Sequence, residues 1–204
     1  TKQGPDATIL PAFAFGIAIV AVTYGLGQIS GGHFNPAITI GLVAGGRFDI
    51  AHAPGFVIAQ LIGATVAAAL IFSLLIGSAV TAPAGFAAIA NRFADVSLYD
   101  ITTAALLEAI LMALLIIIFM GATSQSATAT WAPIAIGAGF SVFYLLTMPL
   151  TNAGLNPARS TAAAIFAGPE ALGQLWIFWV APIAGAIAGG MGARLLLREW
   201  DPPS

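Results

Sequence analysis

The sequence predicts an all-α polytopic membrane protein, and three observations lead to this fold class. Of the 204 residues, 59% are hydrophobic and only 7% are charged, whereas soluble domains are about 25% charged. The tripeptide Asn-Pro-Ala occurs twice inside apolar sequence, at 35–37 and 156–158. Long stretches also lack charged residues, each exceeding the roughly 20 residues that a spanning helix requires. These stretches are 7–46, 50–91, 109–158 and 171–193.

The first half of the chain contains two predicted spans and one shorter segment. Residues 9–29 form the first predicted helix, which ends at the sequence SGGH. Residues 35–45 are apolar but too few to cross a bilayer. Residues 54–77 form the second span. It is predicted to start at Pro54, because proline suits a first helical turn. Residues 78–100 carry several charges and are predicted to be a connecting loop.

The second half contains three predicted spans and a second short segment. Residues 101–121 and 132–151 form two spans, which the polar sequence TSQSATAT separates. Residues 156–167 are again too short to cross the membrane. Residues 174–197 form the fifth span.

Each short segment is predicted to be a half-helix that starts inside the membrane. Asn is a strong N-cap, and Pro is well placed at the first helical position. Non-helical backbone at this depth is tolerated only where it is buried in protein or lines a wet cavity. Two such segments in corresponding places indicate a transport site between inverted repeats.

The two repeats are unequal in length. Asn35 and Asn156 are 121 residues apart, and two spans precede the second half-helix whereas only one precedes the first. Glu108 lies deep in a span, 48 residues before Asn156, and the mirror position would fall before Thr1. We therefore expect that a first helix with a second glutamate is absent from this chain. The predicted single domain, 1–204, comprises an incomplete first repeat (1–77), a connecting loop (78–100) and a second repeat (101–204).

The composition also argues against several classes of function. The chain has no cysteine, so neither a disulfide framework nor a thiolate metal site is expected. Its net charge is −2 without a basic patch, so no nucleic-acid partner is expected. No constellation of catalytic residues is recognisable, and neither an enzyme activity nor a cofactor or metal is predicted. The expected surroundings are a lipid bilayer.

The sequences SGGHFNPAITIG, NPARSTA and QLWIFWVAPIAGA resemble the aquaporin, or major intrinsic protein, family. Within that family they are most similar to the bacterial aquaporin Z type. The resemblance covers nearly the whole chain and implies an aquaporin-like inverted-repeat bundle with two re-entrant half-helices. It also implies a homotetramer with one pore per subunit, multi-pass in a bacterial inner or plasma membrane.

The resemblance implies several sets of site residues. The two motifs at the pore centre are Asn35, Pro36, Ala37, Asn156, Pro157 and Ala158. The selectivity-filter positions are Phe15, Tyr144, Ala153 and Arg159. The carbonyl groups that would line the pore are those of Gly31, Gly32, His33, Phe34, Asn152, Ala153, Gly154 and Leu155. Glu108 matches a structural glutamate that accepts hydrogen bonds from the second re-entrant loop.

The resemblance implies a passive channel that conducts water in single file and excludes protons and ions. Two filter positions depart from the aquaporin Z pattern, because Tyr144 replaces a histidine and Ala153 replaces a threonine. These departures leave open a channel for other small neutral solutes, such as ammonia, hydrogen peroxide or small polyols. The absent helix leaves open a non-conducting truncated homologue. An ion-coupled transporter that uses Glu108 and Arg159 is a further alternative.

The residues taken without the resemblance leave simpler interpretations open. Asn35 and Asn156 could be plain helix caps, and Arg159 could be a buried charge paired with Glu108. Phe15 could contact the core or lipid.

Overall fold

The computed structural model describes residues 6–76, 82–93, 100–125 and 127–197, and every regular element in these ranges is helical. The α-helices are α1 (Asp6–Ser30), α2 (Pro36–Ala44), α3 (Ala53–Leu75), α4 (Ala82–Ile89), α5 (Ile101–Ala122), α6 (Ala132–Thr151), α7 (Pro157–Ala167), α8 (Pro169–Gln174) and α9 (Ile177–Leu197). Short 3₁₀ helices cover Ile50–His52 and Ala129–Trp131.

Five helical segments in the described part of the chain are long and apolar enough to cross a membrane. They are Thr8–Ser30, Ile50–Leu75, Ile101–Ala122, Ala132–Thr151 and Pro169–Leu197. Large apolar side chains cover their outer faces, with Leu74 82% exposed and Ile29 83% exposed. Exposed apolar surface on helices of spanning length indicates a membrane environment. The predicted class of polytopic α-helical membrane protein is confirmed.

The two short segments are helices of half length. α2 has 9 residues and α7 has 11, which gives lengths of about 14 and 16 Å at 1.5 Å per residue. The hydrocarbon core of a bilayer is about 30 Å thick, so each helix reaches only partway across. The prediction that Asn caps each half-helix and Pro occupies its first position agrees with the observed helix starts at Pro36 and Pro157.

One predicted element was wrong, and one predicted helix start is shifted by three residues. Residues 78–100 were predicted to be a loop, but they contain α4, because Phe86 is 2% exposed and packs between Phe72 and Phe166. This tertiary packing supports a short helix that charge patterning alone does not reveal. The span predicted over 174–197 corresponds to α9, which begins three residues later, at Ile177.

Small residues allow the spanning helices to approach closely. α9 packs against α5 where a side-chain carbon added at Gly185 would clash with the backbone of Ala109. α1 packs against α6, where Gly16 and Gly137 face each other in the same way. Close backbone approach through small residues is the usual means of helix association in lipid.

A repeated sequence relates α3 to α9. FVIAQLIGA at 56–64 and FWVAPIAGA at 178–186 share Phe, Ala, Gly and Ala at the same four places. Gly185 contacts α5, whereas a carbon added at the corresponding Gly63 would meet nothing within 4 Å. Among the described residues, this face of α3 borders a groove of about 840 Å³, which extends to the loop before α2.

Candidate channel site

The N-termini of the two half-helices are capped by the asparagines of the two motifs. Asn35 and Asn156 have extended backbones, with φ of −159° and −137°. The Oδ1 atom of Asn35 accepts a hydrogen bond from the Ala37 amide at 2.8 Å, and that of Asn156 accepts from the Ala158 amide at 3.0 Å. Each carboxamide is thereby oriented with its oxygen toward its own helix and its nitrogen away from it.

The two caps are joined to each other's loops. Asn35 Nδ2 donates to the carbonyl of Leu155 at 2.8 Å, and Asn156 Nδ2 donates to the carbonyl of Phe34 at 3.0 Å. These reciprocal hydrogen bonds bring the ends of α2 and α7 together. A carboxamide carries two N–H donors, so each asparagine retains one N–H that these hydrogen bonds do not use. We call this pair of reciprocal hydrogen bonds the joint between the half-helices.

The loops that precede the two caps follow the same backbone path. In both, the residues one, three and four positions before the asparagine have positive φ. The φ values are 72°, 69° and 45° for Gly31, Gly32 and Phe34, and 59°, 57° and 48° for Asn152, Ala153 and Leu155. Left-handed backbone at non-glycine residues is costly and clusters at functional sites. The inverted repeat therefore extends to the backbone dihedral angles of the two loops.

Several carbonyl groups of these loops have no hydrogen-bond donor within the described residues. They are the carbonyls of Gly31, Gly32, His33 and Ala153. Four of the eight carbonyls in the predicted file of acceptors therefore leave both lone pairs for another donor. The carbonyls of Phe34, Asn152, Gly154 and Leu155 each accept at least one hydrogen bond, and a carbonyl oxygen has a second lone pair for another donor.

Glu108 holds the second loop in place. Its side chain is fully buried and accepts hydrogen bonds from Thr151 Oγ1 at 2.5 Å, the Gly154 amide at 3.1 Å and the Leu155 amide at 2.5 Å. A buried carboxylate is tolerated only when donors of this kind surround it. Both carboxylate oxygens are used for this anchoring, which leaves little capacity for a proton relay.

His33 lies beside the first loop in a different arrangement. Its Nδ1 is 3.1 Å from Thr39 Oγ1, which also accepts a hydrogen bond from Gln60 Nε2 at 3.0 Å. The imidazole ring is 5% exposed and contacts the rings of Phe48 and Phe56. This packing is typical of a structural histidine.

Arg159 extends from the first turn of α7 toward the segment that follows α4. Its Nη1 donates to Asn91 Oδ1 at 2.7 Å and to the carbonyl of Asn152 at 3.2 Å. Within the described residues no carboxylate pairs with this guanidinium, so the interpretation as an ion pair with Glu108 is not supported by a direct contact. Sequence reasoning missed Asn91, because a single asparagine at the end of an uncharged stretch carries no local signal.

Two aromatic residues at predicted filter positions contact each other directly. The rings of Phe15 and Tyr144 are stacked with centroids 4.1 Å apart and an interplanar angle of 18°. Tyr144 is 3% exposed, and its hydroxyl has no hydrogen-bond partner among the described residues. Ala153 is fully buried in the same cluster. Phe15, Tyr144 and Ala153 thus belong to or pack against the main hydrophobic core, while Arg159 is held by other contacts.

Beside the first loop, between α1, α5 and α6, lies a cavity of about 500 Å³ whose lining is mixed and mostly apolar. Its lining includes Gly31 together with Thr23, Gln28, Thr123 and Thr130. The hydroxyl of Thr23 is buried without a partner in the described part of the protein. A cavity at this end of the loop fits the rule that irregular backbone at membrane depth is either buried in protein or lines a cavity. The described residues contain no cluster of three or more metal-ligating side chains.

Fold and site together define a polytopic helical channel protein with two re-entrant half-helices. The chain belongs to the major intrinsic protein family, whose profile (MIP: Major intrinsic protein) it matches over residues 3–192. Aquaporin Z of Brucella melitensis biotype 1 is 43% identical over 182 residues, which cover 88% of this chain and 79% of that protein. The aquaglyceroporin from Plasmodium falciparum, an X-ray structure, matches with a TM-score of 0.73 over 91% of this chain and 79% of that chain. Its sequence identity is 21%, and the likeness concerns the fold alone. The resemblance recognised in the sequence is confirmed.

Proposed function

We propose that this chain is a passive water channel that conducts water in single file and excludes protons and ions. The observation that carries the proposal is the joint between the half-helices, where Asn35 and Asn156 each bond to the opposite loop. The remaining N–H of each carboxamide is available to a molecule at the same spot. The family to which the chain belongs supports a channel, and the identity to an aquaporin Z supports water.

The joint supplies donors at the centre, and the loops supply acceptors on either side of it. A water molecule whose oxygen accepts both remaining N–H groups has no lone pair left to accept a proton from the next water. The N-termini of α2 and α7 meet here, and each carries roughly +0.5 elementary charge from its helix dipole. Their field, together with the charge of Arg159, repels cations, as in other channels of this type.

A second candidate function is conduction of other small neutral solutes. It is favoured by Tyr144 and Ala153, because a phenol next to a methyl group gives the filter a different shape and polarity from the aquaporin Z pattern. The Tyr144 hydroxyl, buried without a partner in the described structure, is a hydrogen-bonding group for such a solute. Assembly as a homotetramer in a bacterial inner or plasma membrane belongs to the same proposal.

The first test is osmotic shrinkage of liposomes that contain the purified chain, recorded by stopped-flow light scattering. The proposal predicts shrinkage well above that of empty liposomes and its loss on Asn156→Ala substitution. Ser73→Ala is the matched control, since this hydroxyl lies on the exposed face of α3 and bonds only within its own helix. Shrinkage no faster than that of empty liposomes would favour the non-conducting homologue.

The double substitution Tyr144→His and Ala153→Thr separates the two candidate functions. It restores the aquaporin Z residues at both positions and is expected to raise the ratio of water to glycerol permeability. An unchanged ratio would show that these two positions do not set selectivity.

A further inference from the structure

We propose that Asn91 is the positioning residue that fixes the Arg159 guanidinium at the filter, so that the segment after α4 sets the orientation of the filter charge. This inference rests on the proposed channel function, because it assigns Arg159 a place in the pore. Asn91 lies outside every motif recognised in the sequence.

All the hydrogen-bonding atoms of the Asn91 side chain are used. Its Oδ1 accepts from Arg159 Nη1 at 2.7 Å, and its Nδ2 donates to the carbonyls of Thr151 and Asn152, both at 2.9 Å. The side chain is 3% exposed. The opposite orientation of the amide would set its N–H groups against the guanidinium, so this network determines which way the amide faces.

Asn152 binds the same segment from the other side. Its Nδ2 donates to the carbonyls of Ala88 and Ala90 at 2.8 and 3.1 Å. Its φ of 59° is in the left-handed region, which asparagine adopts more readily than most residues. The side chains of Asn91 and Asn152 therefore each donate to backbone carbonyls in the segment that contains the other residue. Arg159 donates to both residues.

The segment is also anchored before and after Asn91. Phe86 of α4 is buried against α3 and α7, and the Phe93 amide donates to Gln174 Oε1 at 2.8 Å. A side chain held between two anchors loses little further conformational freedom when it orients Arg159. Hydrogen bonds to charged donors are also roughly twice as strong as neutral ones.

The choice of asparagine over aspartate has a physical consequence. Both groups that Arg159 Nη1 bonds are neutral, namely the Asn91 carboxamide and the Asn152 carbonyl. They orient the guanidinium and leave its positive charge in place as a barrier to cations. An aspartate at position 91 would keep the acceptor but neutralise that barrier.

The first test measures the position of Arg159 without requiring conduction. The reconstituted chain is labelled with phenylglyoxal, and the rate at Arg159 is followed by peptide mass spectrometry relative to Arg194. Asn91→Ala is expected to raise this relative rate on the order of tenfold, because it removes a charge-assisted hydrogen bond. Asn91→Asp keeps the acceptor and is expected to label as slowly as the unmodified chain. Ser73→Ala is the control.

An unchanged labelling rate in Asn91→Ala would overturn the proposal, as would an Asp variant that labels as fast as the Ala variant. If the Ala variant does not fold, Asn91→Ser replaces it, since the shorter hydroxyl loses the Arg159 contact while remaining polar. The labelling rate tests the role of Asn91 even if the chain conducts no water. Failure of this inference can therefore be distinguished from failure of the proposed channel function.

The second test uses flux. In liposomes that conduct water, Asn91→Asp is expected to raise sodium leakage by at least about threefold, because its carboxylate cancels the Arg159 charge. Asn91→Ala keeps that charge but frees it to move, so it is expected to raise the ratio of urea to water permeability. Unaltered sodium leakage in the Asp variant would contradict the account of why this position is neutral.

Discussion

Gly154 occupies a position where only glycine fits, because the Glu108 carboxylate lies directly against its α carbon. A side-chain carbon there would be 2.5 Å from Oε2 and 2.6 Å from Oε1 of Glu108. The φ of Gly154 is not among the positive values of this loop. The requirement is therefore for space and not for backbone freedom.

Gly154→Ala is accordingly expected to displace the carboxylate from the Gly154 and Leu155 amides. The predicted loss of stability is about 1–3 kcal/mol, the cost of leaving buried donors unsatisfied. It is measured as a lower melting temperature of the detergent-solubilised protein. Gly192→Ala is the control, because a carbon added there meets nothing within 4 Å. Equal melting temperatures of the two variants would contradict the assigned role of Glu108.

At the scale of helices, α9 and α3 carry the same small-residue sequence but have different surroundings. α9 contacts α5 through Gly185 and Gly189, while Gly63 of α3 faces the groove. A larger side chain therefore does not fit at Gly185 of α9, whereas the groove leaves space for one at Gly63 of α3. The repeated sequence supplies a matched pair of positions for comparing these two environments.

Gly185→Leu is expected to force α9 away from α5 and to cost about 1–3 kcal/mol or more through overpacking. Gly63→Leu places the same side chain at the corresponding position of α3, where the groove admits it. The measurement is the fraction of purified chain that resists limited proteolysis in detergent micelles. Similar sensitivity of the two variants would show that the α5–α9 contact is not tightly packed.

At the scale of the whole molecule, the two halves are interlocked crosswise. α2 belongs to the first half but packs against α9, where a carbon added at Gly41 would lie 3.0 Å from the carbonyl of Ala186. α7 belongs to the second half but packs against α3, where the rings of Phe72 and Phe166 are 5.2 Å apart. Neither half can therefore complete its own half-helix, and the channel site exists only in the assembled chain.

Those parts of the fold that depend on local chemistry were predictable from the sequence. The half-helix starts follow from Asn-Pro steps, whose capping and ring geometry act within a few residues. The helix α4 and the contacts of Asn91 were not predictable, because they depend on partners far along the chain. Asn91 bonds to Thr151, 60 residues away, and Phe86 packs on two helices. No short-range periodicity encodes such contacts.

The joint between the half-helices also has a consequence for biosynthesis. The carbonyl that Asn35 requires belongs to Leu155, 120 residues later in the chain. At 5–20 residues per second, ribosomal synthesis separates the two by roughly 6–24 s. During that time the first half-helix is already made but lacks the acceptor that fixes its tip. The tip of the first half-helix therefore completes its hydrogen bonds only after the second half of the chain has been made.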